Sequence, residues 1–98
     1  MWTGTLQCDL LLGDVRSLKQ KRAVVRPLVA EVRRRFDVAV AETGHLDLLR
    51  RAEVGVGVVA SDPAHCTEVL DAVERFVAER VETDLLGVRR VLHGPHDD

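Results

Sequence analysis

The sequence predicts an α+β domain with the element order βαββαβ. Three observations carry this reading. Residues 2–12 and 52–60 alternate apolar and polar side chains with a period of two, the mark of strands covered on one face. Two amphipathic stretches, each opened by a capping signal at Ser17 and at Asp62, carry apolar residues at three- and four-residue steps. Finally, 98 residues with 46% hydrophobic and 31% charged side chains suit one globular domain.

In the first strand Trp2, Gly4, Leu6, Cys8, Leu10 and Leu12 share one parity, opposite Thr3, Thr5, Gln7 and Asp9, before Gly13-Asp14 breaks the run. Ser17 and Gln20 then form a capping-box pattern. Leu18, Val25, Leu28, Val29, Val32 and Phe36 trace the apolar stripe of the first helix. Pro27 interrupts it, and a proline loses one helical hydrogen bond and clashes with the preceding turn. A bent helix with its bend near residues 23–27 is preferred to a short turn followed by a helix entering at Pro27, because the stripe keeps its face. Phe36, Val38 and Val40 alternate with Asp37, Ala39 and Ala41 as a second strand ending near Glu42. Residues 43–51 are open between a loop, a helical turn and the start of the next strand.

The third strand, residues 52–60, sets Val54, Val56 and Val58 on one side against Glu53, Gly55, Gly57 and Val59. Asp62-Pro63 opens the second helix, whose stripe runs Cys66, Val69, Leu70, Val73, Phe76 and Val77. A last strand lies within residues 85–93, and residues 94–98 are expected to fray. Two one-sided helices cover one face of a four-stranded antiparallel sheet, which is the ferredoxin-like arrangement. A single domain spans 1–98. The other sheet face must meet solvent, a ligand or another subunit.

Net charge is −2, unevenly spread: residues 1–51 hold ten Lys/Arg against six Asp/Glu, and residues 52–98 hold four against ten. This argues against a dedicated nucleic-acid binder while leaving a local basic patch in the first half. Lys19, Arg22, Arg26 and Arg33, spaced 3, 4 and 7 apart, form a charged track on the first helix, with Arg16 just before it and Arg50 and Arg51 near its far end; Lys21 joins them as a candidate phosphate contact. Phosphates suit such a track, although a charge run is usually just the solvated face of a helix. RNA stacked on the bare sheet is disfavoured, since no aromatic occupies those positions. Gly55 and Gly57 leave room there for a second subunit or a small ligand, or meet no packing demand at all. Glu42, His45 and Asp47 are a candidate carboxylate–imidazole site whose spacing fits no metal motif. No catalytic constellation, phosphate loop, cofactor motif or metal site is legible, so an enzyme is the weakest class. Cys8 and Cys66 read as two buried thiols. Without an apolar run long enough for a bilayer or a leader signal, a cytoplasmic, non-membrane protein is expected.

At Ser17-Leu18-Lys19-Gln20-Lys21-Arg22 the chain resembles the YlxP-like family of small bacterial proteins, a domain of unknown function with an SLKxKR stretch after its first strand. The resemblance continues through Phe36-Asp37-Val38-Ala39-Val40-Ala41-Glu42, Gly44-His45-Leu46-Asp47, Arg51-Ala52 and Val58-Val59-Ala60-Ser61-Asp62, and so covers nearly the whole chain. Asp37 stands for the usual asparagine, Ala39 for serine, and Leu49 for a frequent aromatic. The resemblance implies a ferredoxin-like fold and no catalytic residues. By gene neighbourhood it implies an association with RNA or the ribosome. RNA or the ribosome is thus an expected partner, and the glycine-bearing sheet face makes a second copy of the chain, as a homodimeric regulatory or scaffolding domain, the alternative.

Overall fold

The computed structural model describes residues 1–96. Its elements are β1 (Trp2–Leu12), α1 (Leu18–Phe36), β2 (Ala39–Gly44), β3 (Arg51–Ala60), α2 (Pro63–Ala78) and β4 (Thr83–His93). The strands form one antiparallel sheet in the order β2-β3-β1-β4. The fold is the expected ferredoxin-like α+β arrangement.

The period-two pattern explains the core. Leu6, Cys8, Leu10 and Leu12 of β1 and Ala52, Val54, Val56 and Val58 of β3 are buried on one sheet face. Against them pack Val25, Leu28 and Val32 of α1 and Cys66, Leu70, Val73 and Val77 of α2, each set spaced by three or four residues. At Gly4, α2 comes so close that a Cβ would lie 2.9 Å from Leu70 Cδ1 and 3.3 Å from Val58 Cγ1. A residue without a side chain is what lets α2 seat on β1 at this level.

Both helices start as their caps dictate. Ser17 Oγ accepts from Gln20 N at 3.1 Å, while Gln20 Oε1 accepts from Arg16 N at 2.6 Å. Asp62 Oδ1 accepts from His65 N at 2.8 Å, with Pro63 in the first helical turn. Pro27 sits inside one continuous α1, so a separate helix entering at Pro27 is not formed. Ala23 and Pro27 are both exposed, which lets water take the carbonyl that the proline leaves free.

Several boundaries differ from expectation. Phe36 fits both a helix stripe and a strand alternation, and it ends α1 rather than opening β2. Its ring meets Phe76 of α2 edge-on, centroids 5.5 Å apart, a contact that the helical course provides. Asp37 then closes α1 in the left-handed conformation (φ 52°), and β2 runs from Ala39 to Gly44. β4 begins earlier than expected, at Thr83, and contains a bulge: Asp9 pairs with Gly87 but Leu10 with Leu85, leaving Leu86 as the extra residue. Of the tail expected to fray, Gly94 lies against the Trp2 ring, where a Cβ would be 2.6 Å from the indole. Residues 97 and 98 of that tail lie outside the described residues.

Candidate functional site

The capping signal at Ser17 fixes where α1 begins, and thereby which helical positions point inward. Lys21, one turn in, points into the protein and is only 3% exposed. A buried ammonium needs all three hydrogens satisfied. Here Nζ donates to His45 O at 2.8 Å and Leu48 O at 2.7 Å, and lies 3.0 Å from Glu42 Oε2. Lys21 is thus withdrawn from the expected phosphate track; its charge is consumed inside the fold.

What Lys21 holds is the β2–β3 connection. His45 takes the left-handed conformation (φ 56°), and its carbonyl also accepts from Leu48 N at 3.0 Å. The stretch left open by sequence, residues 43–51, is therefore the end of β2, a tight turn and the first residue of β3. Arg50 secures its far side, donating through Nε to Gly13 O at 2.9 Å, while Leu12 N donates to Arg50 O at 2.8 Å.

The remaining members of the basic track behave differently. Lys19, Arg22 and Arg26 are exposed and make no hydrogen bond or ion pair among the described residues. At 100° per residue they and Arg33 fall within about 60° of one another on the helix. Lys19, Arg22 and Arg26 border a shallow hollow of about 400 Å³. Arg33 is partly engaged, one Nη2 donating to Val40 O at 2.7 Å. Arg16 is exposed beside Asp14, with Nε 3.2 Å from its carboxylate. The sole acidic residue of α1, Glu31, turns away to pair with Arg80. α1 thus places no carboxylate of its own on the track's face and none in its first turn, while Glu42 of β2 lines a hollow together with Arg26 and Arg33.

Arg51 belongs to another surface. It lies on the open sheet face, where Nη2 donates to Asp9 Oδ1 at 2.7 Å and Oδ2 at 2.5 Å. His45 Nε2 is 3.3 Å from the same carboxylate. The Arg51 hydrogen bonds, against a smaller upward push from burial and helped by the charges of Arg51 and His45, hold the Asp9 carboxyl below its usual range. Across the sheet from Asp9, Glu53 accepts from Thr43 Oγ1 at 2.7 Å.

Glu42, His45 and Asp47 do not converge. Glu42 turns to Lys21 beneath the sheet, His45 to Asp9 on the open face, and Asp47 is exposed in the turn. The pleat separates them: Glu42 shares the parity of buried Val38 and Val40, so its carboxylate is delivered to the helix side. Gly55 and Gly57 floor a shallow hollow of about 440 Å³ on the open face, shared with Thr5, Gln7, Ala41 and Thr43. A Cβ at Gly55 would meet Thr43 Cγ2 at 2.8 Å, whereas one at Gly57 would meet nothing within 4 Å.

Sequence reasoning missed the Lys21 anchor and the Asp9–Arg51–His45 cluster. The helical period held the first clue, because Lys21, Val25, Leu28 and Val32 share the buried stripe. The second needs strand register, which no local pattern supplies. Burial raises the Cys8 thiol to about 11, helped by the Glu74 charge and opposed by Arg90. Cys8 is buried, and Lys21 and Asp9 are engaged in contacts within the fold. No helix among the described residues is long and apolar enough to cross a membrane.

The fold and this surface define a small ferredoxin-like α+β protein with a basic helix face and an open sheet. Residues 3–90 match the family described as "Protein of unknown function (DUF503)", and the chain belongs to that YlxP/DUF503 family of small bacterial proteins. It is 31% identical over 74 residues to the "Uncharacterized protein YlxP" of Bacillus subtilis (strain 168), an alignment covering 76% of this chain and 80% of that protein.

Proposed function

We propose that this protein is a non-enzymatic RNA-associated module, ribosomal RNA included, which grips phosphates through Lys19, Arg22 and Arg26 of α1. The observation that carries the reading is that these three cations share one exposed helix face and have no acceptor among the described residues. Unpaired cations repel one another and lower helix stability when they lie one turn apart. Lys19 adds to this cost, since it sits at the positive end of the helix dipole instead of offsetting it. The same arrangement sums the dipole and three side-chain charges into one positive surface, which is what a phosphate backbone requires. Arg16 and Arg33 flank the surface with part of their donors engaged, and Arg50 is held by the Leu12 and Gly13 carbonyls. Arg51, on the far side of the sheet and neutralised by Asp9, is left out of the interface.

Recovery of the tagged protein from bacterial extract, with and without nuclease, tests the reading. Ribosomal or other structured RNA should copurify and vanish after nuclease. The Lys19→Ala/Arg22→Ala/Arg26→Ala variant should recover at least about tenfold less RNA. Equal RNA on parent and variant, or none on either at low salt, overturns the reading.

A further inference from the structure

The sheet has two edges of unequal kind. β2 is six residues long, and its Val40 carbonyl is capped by Arg33. β4 is eleven residues long and has no strand beyond it among the described residues. Long open edges pair with further strands unless something blocks them. Around β4 lie four of the nine large hydrophobics exposed among the described residues: Val81 (95%), Leu86 (51%), Val88 (44%) and Leu92. Two opposite charges on the open-face side of this strand, Asp84 and Arg89, have no partner among the described residues. Arg90 is not part of this set, since it folds over α2 to Asp71 and Glu74.

We propose that β4 pairs antiparallel with β4 of a second copy, joining two sheets into one of eight strands. The bulge selects the register. In a two-fold antiparallel pair, directly opposed side chains share a sheet face. An axis between Leu86 and Gly87, at the bulge itself, opposes Asp84 to the partner's Arg89 on the open face. It also opposes Leu85 to the partner's Val88 on the helix face. Gly87, whose Cβ position is empty of neighbours, receives the partner's Leu86. Val81 comes level with the partner's Leu92. A register one residue away sets Asp84 against Val88 or Arg90, which lie on the other face. A shift of two residues keeps the faces but loses the charge pair. A bulge usually discourages edge pairing; in this strand it makes one register self-complementary. The joint lies on the opposite edge of the sheet from β2, which α1 packs against, so it leaves the basic helix face clear and is independent of the RNA reading.

Sedimentation equilibrium on the full chain tests the proposal by charge swapping. The parent should be a dimer. Asp84→Arg alone or Arg89→Asp alone turns both symmetry-related pairs into like charges and should raise the dimer Kd at least about tenfold. Asp84→Arg together with Arg89→Asp should restore Kd to within about threefold of the parent. Both positions are exposed, and an unchanged far-ultraviolet circular-dichroism spectrum shows that the single variants are folded. A parent that is monomeric at about 100 µM overturns the proposal, as does a dimer indifferent to the single reversals. A dimer that survives them but is lost in Gly57→Trp would locate the joint on the open sheet face and also overturn it.

Discussion

Replacing Lys21 by methionine keeps the aliphatic stem and removes the ammonium, so the loss isolates what the charge does. Three acceptors lose their partner at once: the carbonyls of His45 and Leu48, and the Glu42 carboxylate, whose side chain is 24% exposed. Breaking a buried ion pair by deleting one member costs about 3–5 kcal/mol. Glu42 retains some access to water, so the lower end applies, about 3 kcal/mol. Against a total stability of about 5–15 kcal/mol this is a large loss. In a domain of this size it lowers the melting temperature by about 12–24 °C. Urea unfolding followed by circular dichroism measures it, and adding Glu42→Gln should recover about 1 kcal/mol by removing the stranded charge. If Lys21 instead faced phosphate, Lys21→Met would leave stability within about 0.5 kcal/mol of the parent and weaken RNA binding. That result would refute the anchor. The folded variant should bind RNA within about twofold of the parent, because Lys19, Arg22 and Arg26 are untouched.

Gly4→Ala should destabilise by about 1–3 kcal/mol, because the new methyl collides with Leu70 and Val58; a neutral change in the urea midpoint would contradict the close seating of α2. The lowered Asp9 carboxyl makes a stabilising contribution that is fully present above the unfolded value of about 3.9 and lost as pH falls through the lower folded value. Urea midpoints measured from about pH 5 to pH 2 should therefore fall less steeply in Asp9→Asn than in the parent, and equal slopes would refute the Arg51 pairing. With the Cys8 thiol at about 11, its thiolate fraction at pH 8 is about one in a thousand, on top of full burial. Iodoacetamide should leave Cys8 unmodified in the native protein and alkylate both Cys8 and Cys66 in urea, as mass spectrometry reads directly.

The fold was legible because its signals are local. The alternation of β1 and β3, the stripes of the two helices and the caps at Ser17 and Asp62 each lie within a dozen or so residues. Phe36 was ambiguous because one apolar residue at a junction satisfies both periods, and only its contact with Phe76, forty positions away in sequence, decides between them. The candidate site was legible as composition and misassigned in detail. Lys21 reads as one more cation in a basic run, and what withdraws it is a set of acceptors 21 to 27 residues further along the chain. Arg51 reads as part of the same run, yet strand register delivers it to Asp9 on the opposite side of the sheet. Glu42, His45 and Asp47 are close in sequence, and the pleat and the left-handed turn at His45 send them apart.

The salt dependence of RNA affinity tests the central claim most directly. With three phosphate contacts, log K against log salt for the parent on a structured RNA should have a slope of about −2 to −3. Removing Lys19, Arg22 and Arg26 together should bring that slope close to zero, with a melting temperature no lower than the parent's, since their mutual repulsion is relieved. A triple variant that keeps the parent's slope would contradict the assignment of RNA binding to α1.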